Sequence, residues 1–249
     1  MKINKNYQLA IVNLCTTTIF TWLNIVPEIQ AQIVPDPTLG TNINLNNGIF
    51  NITGGTQSGQ NLFHSFDKFN LLPNNTAYFN NSPNMINIIN RVTGGTVSNI
   101  DGIIKANGST NIFLINPNGI IFGLNAKLNI GGSFVATTAN GLGFGNLGNF
   151  TLNTSQNQTA LLTINPSAFL YNQIPNSITH RGILEVQNGK NIIFTGGDIN
   201  INGGTLIAPN GNIQMGGLTE SGVITLDNFN LIFPEKIIQS NVSLSNNAN

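Results

Sequence analysis

Residues 111–123 read Asn-Ile-Phe-Leu-Ile-Asn-Pro-Asn-Gly-Ile-Ile-Phe-Gly. Asn111–Ile115 and Gly119–Phe122 are short runs dominated by Ile, Leu and Phe, the composition of buried strands. Pro117 between them holds φ at about −65° and removes a backbone donor. Asn118 and Gly119 are the residue types that tolerate φ > 0, so a tight turn follows. Asn116 stands where its side chain can cap that turn by bonding backbone groups two residues on. The stretch therefore predicts a strand, a rigid corner and a second strand.

The same pattern extends in both directions. Further β-type runs are Asn42–Leu45, Ile86–Val92, Ile100–Lys105, Ser133–Thr137, Ala160–Ile164, Ile183–Val186, Asn191–Thr195, Asp198–Ile201, Thr205–Ala208, Asn212–Met215, Gly222–Leu226 and Asn230–Phe233. Asn-Gly or Gly-Gly pairs fall between many of them, at 47–48, 54–55, 94–95, 107–108, 131–132, 188–189, 196–197 and 210–211 among others. From Gln32 onward no apolar residues recur at helical spacing, and no linker divides the chain. Residues 32–240 read as one all-β domain, followed by a polar tail at 241–249.

Composition narrows the function. Of 249 residues only 7% are charged, with 9 basic and 9 acidic side chains, whereas soluble domains average roughly 25%. Asn, at 45 residues, fills the gap together with 27 Gly. A net charge of zero offers no field to hold a polyanion, which excludes nucleic acid as a partner. Two His and one Cys build neither a Cys/His metal site nor a disulfide framework, and no cofactor is expected. The 40% hydrophobic content is nonetheless enough for a core.

An antiparallel sandwich usually places charged residues on its solvent face. Here those positions hold Asn, Thr, Ser and Gly. A parallel β-helix explains this better, because its coils stack like residues at about 4.8 Å, where charges repel and Asn side chains form hydrogen-bonded ladders. The expected fold is a right-handed parallel β-helix with an N-terminal cap and short extra-helical β elements. At about 20–25 residues per coil it would have about eight to ten coils. The N-terminus reads as a secretory signal. Lys2 and Lys5 precede a mostly apolar stretch, Leu9–Val26, and Pro27 leads to a small-residue cleavage position at Ala31. The alternative, an uncleaved anchor, is opposed by Asn13, Asn24 and Thr16–Thr18 in that stretch. Cys15 would leave with the signal.

Phe113–Gly123, with Asn116-Pro117-Asn118-Gly119-Ile120 at its centre, resembles the Asn-Pro-Asn-Gly-Ile motif of the two-partner-secretion domain that opens the filamentous-haemagglutinin family of exported adhesins. Other segments lie in the order expected of that domain. Asn61–Leu71 is similar to its early Phe-bearing strand, and Asn90–Gly95 with Ser98–Gly102 to the version common in cyanobacterial members. Ser82-Pro83-Asn84-Met85, after Asn81, stands where many members carry Asn-Pro-Asn-Leu, from which Ser82 and Met85 depart. Gly203–Gly217 is similar to a later coil. The resemblance implies a secretion-signal domain recognised by the periplasmic domains of an outer-membrane transporter, and a protein that reaches the cell surface or medium. Cell-surface or carbohydrate ligands would follow from an adhesin role. On this reading Asn116–Ile120 belongs to the secretion signal, with Ser82–Met85 as a possible second motif; turn chemistry alone would equally account for Asn116–Ile120 as a rigid coil corner.

Rival functions find less support in the residues. A polysaccharide-degrading β-helix enzyme needs clustered carboxylates, whereas Asp36, Asp67, Asp101, Glu185, Asp198, Glu220, Asp227 and Glu235 are scattered. A membrane barrel wants aromatic girdles, and the chain has one Trp and three Tyr. Gly143–Gly148 matches G-x-G-x-x-G without a helix pattern behind it and reads as a loop. His64 and the Phe residues at 63, 66 and 69 read as N-terminal packing, and His180-Arg181 as a surface bend.

Overall fold

The computed structural model describes residues 33–249; the expected signal segment, Cys15 and Ala31 lie outside the described residues. The chain winds into a parallel β-helix of about seven turns. Each full coil contributes one strand to each of three sheets. The central sheet stacks Asn61–Phe69, Asn87–Val92, Asn111–Ile115, Phe134–Thr137, Ile192–Gly196 and Ile213–Gly217 in parallel. The second stacks Ser98–Ile100, Ile120–Phe122, Ile178–His180, Ile199–Asn202 and Val242–Ser245. The third holds Ile49–Gly54, Thr76–Phe79, Ile103–Ala106 and Lys127–Asn129, and two later strands, Ile183–Glu185 and Thr205–Ile207, pair separately. Val242–Ser245 of the expected tail thus forms a rung on Ile199–Asn202.

Two excursions leave the stack, both after a central strand. The first lies between Thr137 and Ile178, the second between Gly217 and Val242. Their strands, Gly141–Gly143, Asn149–Thr151, Ala168–Tyr171, Gly222–Asp227 and Asn230–Ile232, join in one antiparallel outer sheet. These are the extra-helical elements, and they explain why the coils number about seven rather than the expected eight to ten. The residues of the excursions add width to the protein and no height.

The outer sheet also explains the continuous apolar runs. Ile112 and Leu114 point into the core inside the coils, while Phe113 and Ile115 belong to a second core shared with Phe144, Phe150, Phe169 and Ile224. A strand buried on both faces need not alternate. At the start of the stack, Ile33–Pro35 and Thr56–Ser58 pair antiparallel with Asn61–Phe69, and Thr41–Asn46 forms a hairpin with Ile49–Gly54. These antiparallel pieces cap the first coil. A bulge opposite Val34 and Pro35 reverses the alternation of Asn61–Phe69. Phe63 therefore faces the outer core, whereas Phe66 and Phe69 both face inward.

The expected Asn ladder is present at the start of the central strands. Asn87 Nδ2 donates to Asn61 Oδ1 (2.8 Å) and Asn111 Nδ2 to Asn87 Oδ1 (3.0 Å). Higher up, the Ser133 amide donates to Asn111 Oδ1 (2.9 Å), the Asn191 amide to Ser133 Oγ (3.0 Å) and the Asn212 amide to Asn191 Oδ1 (2.9 Å).

Three local expectations need correction. Ala160–Ile164 is not a strand; Ser155 and Gln158 form a capping box that starts a one-turn helix, Gln156–Thr159, and turns follow it. Ile100–Lys105 is not one strand but the ends of two on different sheets, broken at Asp101-Gly102, where Asp101 Oδ1 accepts from the Asn125 amide (2.7 Å). His180 is not a surface feature. It is buried in the second sheet against Phe122 and Phe194, with Nε2 3.0 Å from the Thr205 carbonyl; only Arg181 is exposed.

Candidate functional site

The Asn116–Ile120 corner turns the chain from the central to the second sheet. Asn116 is fully buried, and its side chain is committed at both ends. Oδ1 accepts from the Asn118 amide (3.0 Å), the two-residue cap anticipated from sequence. Nδ2 donates down the stack to the Thr96 carbonyl (2.9 Å) and to Ser98 Oγ (2.8 Å). The Gly119 amide closes the turn on the Asn116 carbonyl (3.1 Å), and Gly119 has φ +113°, a conformation side-chain-bearing residues avoid. From above, Asn176 Nδ2 donates to the Pro117 carbonyl (2.7 Å), and the Ser177 carbonyl accepts from the Ile120 amide (3.3 Å). Pro117, Gly119 and Ile120 are buried and Asn118 is half-buried.

Ser82–Met85 lies at a different corner, between the third and central sheets. Ser82, Pro83 and Asn84 are exposed and Met85 is buried; the Met85 amide donates to the Ser82 carbonyl (3.1 Å). Asn81, just before it, is buried, accepts from the Asn107 amide (2.9 Å) and donates to the Asn107 carbonyl (3.2 Å) and Thr110 Oγ1 (3.2 Å). The two motifs occupy separate corners and do not form one site.

The residue that sequence reading undervalued is Arg91, one of only two Arg in the chain. It is 1% exposed. Nε donates to Ser65 Oγ (2.9 Å), Nη2 to Thr38 Oγ1 (2.8 Å), and Nη1 to the carbonyls of Thr151 and Thr154, while the guanidinium sits 4.9 Å from the Phe150 ring centre. One side chain thereby ties the cap, the first coil and the outer sheet together. Burial pushes its pKa down from the usual Arg range, opposed by the nearby charge of Asp36. Burial alone would raise the Asp36 pKa, but hydrogen bonds from Thr38 and Thr93 leave it below the ordinary carboxylate value. The signal in the sequence was a lone cation inside the uncharged run Asn87–Val92.

Among the described residues the buried His and several Asp serve packing and capping. His64 is buried with Nδ1 3.2 Å from Thr41 Oγ1, and burial lowers its pKa to about 3, so it is a neutral packing residue. Asp101 and Asp198 each cap a backbone amide, of Asn125 and Asn241. Among the described residues no three His, Cys, Asp or Glu side chains gather as metal ligands.

The TPS secretion domain model matches residues 31–249. The heme/hemopexin-binding protein of Haemophilus influenzae is 30% identical over 151 residues, covering 56% of this chain and 16% of that protein. This chain thus spans under a fifth of that relative's length. The crystal structure of the HMW1 secretion domain from Haemophilus influenzae aligns with a TM-score of 0.49 and 24% identity over 83% of this chain and 48% of that one. The chain belongs to the TPS secretion domain family, whose members are exported across the outer membrane with partner transporters.

Proposed function

We propose that this chain is the N-terminal secretion-signal domain of a filamentous-haemagglutinin-like adhesin, led into the periplasm by a signal peptide cleaved after Ala31. A partner outer-membrane transporter recognises the chain through its periplasmic domains, and the β-helix then nucleates folding at the cell surface. The observation that carries this reading is the commitment of the Asn116–Ile120 corner, where Asn116 and Pro117 are buried and bonded to coils on both sides. A transporter would meet such a motif only before the coils close, on an extended chain of the kind that binds by adding a strand. The low charge, 7% of residues, keeps threading of that chain through a pore inexpensive.

The test is co-expression with a partner transporter and measurement of the chain in the medium. Secretion is expected to vanish without the transporter; secretion that persists overturns the proposal. Asn116→Ala is expected to lower secretion more than Asn81→Ala, a substitution of another buried corner amide, once both are matched for loss of melting temperature. Equal losses would reduce Asn116 to a coil corner.

A further inference from the structure

The outer face of the third sheet carries a groove of about 400 Å³ unrelated to the export corner. Asn44 and Asn46 line it from Thr41–Asn46, Asn47 from the hairpin tip, Asn51 from Ile49–Gly54, and Tyr78 and Asn80 from the next coil. Register puts Asn44 opposite Asn51 and Asn51 beside Tyr78, so their side chains form one row across three strands.

These amides differ from those of the ladder. Asn61, Asn87 and Asn111 spend their side chains on the ladder. Among the described residues, the side chains of Asn44, Asn46 and Asn47 have no hydrogen-bond partner, and Asn51 Oδ1, like Asn90 Oδ1 elsewhere in the coils, is buried without a donor. A buried acceptor left unpaired costs on the order of 1–3 kcal/mol and calls for an explanation. Asn is also a poor strand former, so strand propensity does not account for Asn44, Asn46 and Asn51, whereas Asn47 is placed by the turn, at φ +48°. The Tyr78 ring is held in place: its hydroxyl donates to Asn107 Oδ1 (2.9 Å) and Lys105 Nζ lies 4.6 Å from its centre.

None of the lining residues is charged, and the one cation beside them, Lys105, is held against the Tyr78 ring, so the lining itself favours a neutral ligand. Each free amide offers two donors and an acceptor, the pattern that matches hydroxyl groups. An aromatic ring beside them offers an apolar patch for the C–H face of a pyranose. The volume falls within the range of small-molecule sites. We propose that this groove is a subsite for a short neutral saccharide. The proposal is independent of the export reading, since none of its residues belongs to the Asn116–Ile120 corner.

Saturation-transfer NMR on the chain tests it, with lactose, cellobiose, maltose and N,N′-diacetylchitobiose as neutral probes and sialyllactose as the charged one. At least one neutral disaccharide is expected to receive transfer, and more strongly than sialyllactose. The double substitution Asn44→Ala with Asn46→Ala is expected to weaken that binding on the order of tenfold. Its melting curve should stay that of the parent, because both side chains are exposed. No transfer to any neutral probe overturns the proposal, as does binding unchanged by the double substitution or stronger for the charged probe. A dimer that the double substitution abolishes would assign the face to a second copy of the chain and overturn it too.

Discussion

Two corners of this β-helix are built from nearly the same residues and end in opposite states. Ser82-Pro83-Asn84-Met85, preceded by the buried Asn81, and Asn116-Pro117-Asn118-Gly119 both place Pro and Asn in the middle of the turn, and each corner carries one buried Asn. In the first, everything after Asn81 up to Asn84 is exposed; in the second, Pro117 and Gly119 are buried. Asn81 bonds up the stack to Asn107 and Thr110, whereas Asn116 bonds down to Thr96 and Ser98 and is roofed by Asn176. The roof arrives 59 residues later, because the first excursion intervenes, while Asn81 meets its partner 26 residues on. Local turn chemistry is shared; burial is decided by which coil lies on top. If the chain emerges from its N-terminus, as proposed, the Asn116 corner would stay open longer than its counterpart, the window that the proposed recognition requires.

The largest expected effect follows from this asymmetry. Asn116→Ala leaves the buried Ser98 Oγ and the partly buried Thr96 carbonyl and Asn118 amide without that partner, a loss of about 2–3 kcal/mol. Asn81→Ala should cost less, about 1–2 kcal/mol, because the neighbouring Ser82–Asn84 segment is open to water that can replace the lost bonds. Urea denaturation of both variants measures the difference. If Asn81→Ala proves the more damaging, the distinction between an open and a roofed corner fails.

Much of the corner was legible in the sequence, because its cap and turn are local chemistry. Asn116 bonds the amide two residues on, as its type and position require. The parallel stack was legible from the Asn, Thr, Ser and Gly on its outward positions, uncharged side chains that can stack in register. What sequence could not supply were contacts set by topology. Asn176 over Pro117 spans the excursion, and nothing in residues 139–175 announces that they leave the stack. Arg91 reaches Thr38 and Thr151 across 53 and 60 positions, so its role was invisible in its own strand. His180 was misjudged because it follows a turn-rich segment, yet the second sheet covers it from both neighbouring rungs. Ala160–Ile164 looked like a strand by apolar content, where the Ser155 cap upstream imposed a helical turn.

Asn176→Ala isolates the roof. It removes one donor to the Pro117 carbonyl and leaves the Asn116 side chain untouched, so the expected loss is about 1 kcal/mol, read as a shift in the urea midpoint. In a double-mutant cycle with Asn116→Ala the two losses should fall short of additive, because both act on one corner. Additive losses would mean that the roof and the cap are independent and that the corner is not a single unit.

Pro83→Ala is the smallest test. Pro83 is exposed, and the turn around it is closed by the Met85 amide on the Ser82 carbonyl, a bond that does not involve the ring. The substitution therefore acts mainly by loosening the unfolded chain, with a loss of at most about 0.5–1 kcal/mol. Secretion should be unchanged, since Ser82 and Met85 depart from the motif that the resemblance suggested for this position. A clear fall in secretion at this small stability cost would make the exposed corner part of the export signal. It would also show that a transporter reads Pro-bearing corners by exposure in the folded coil, not by their late closure.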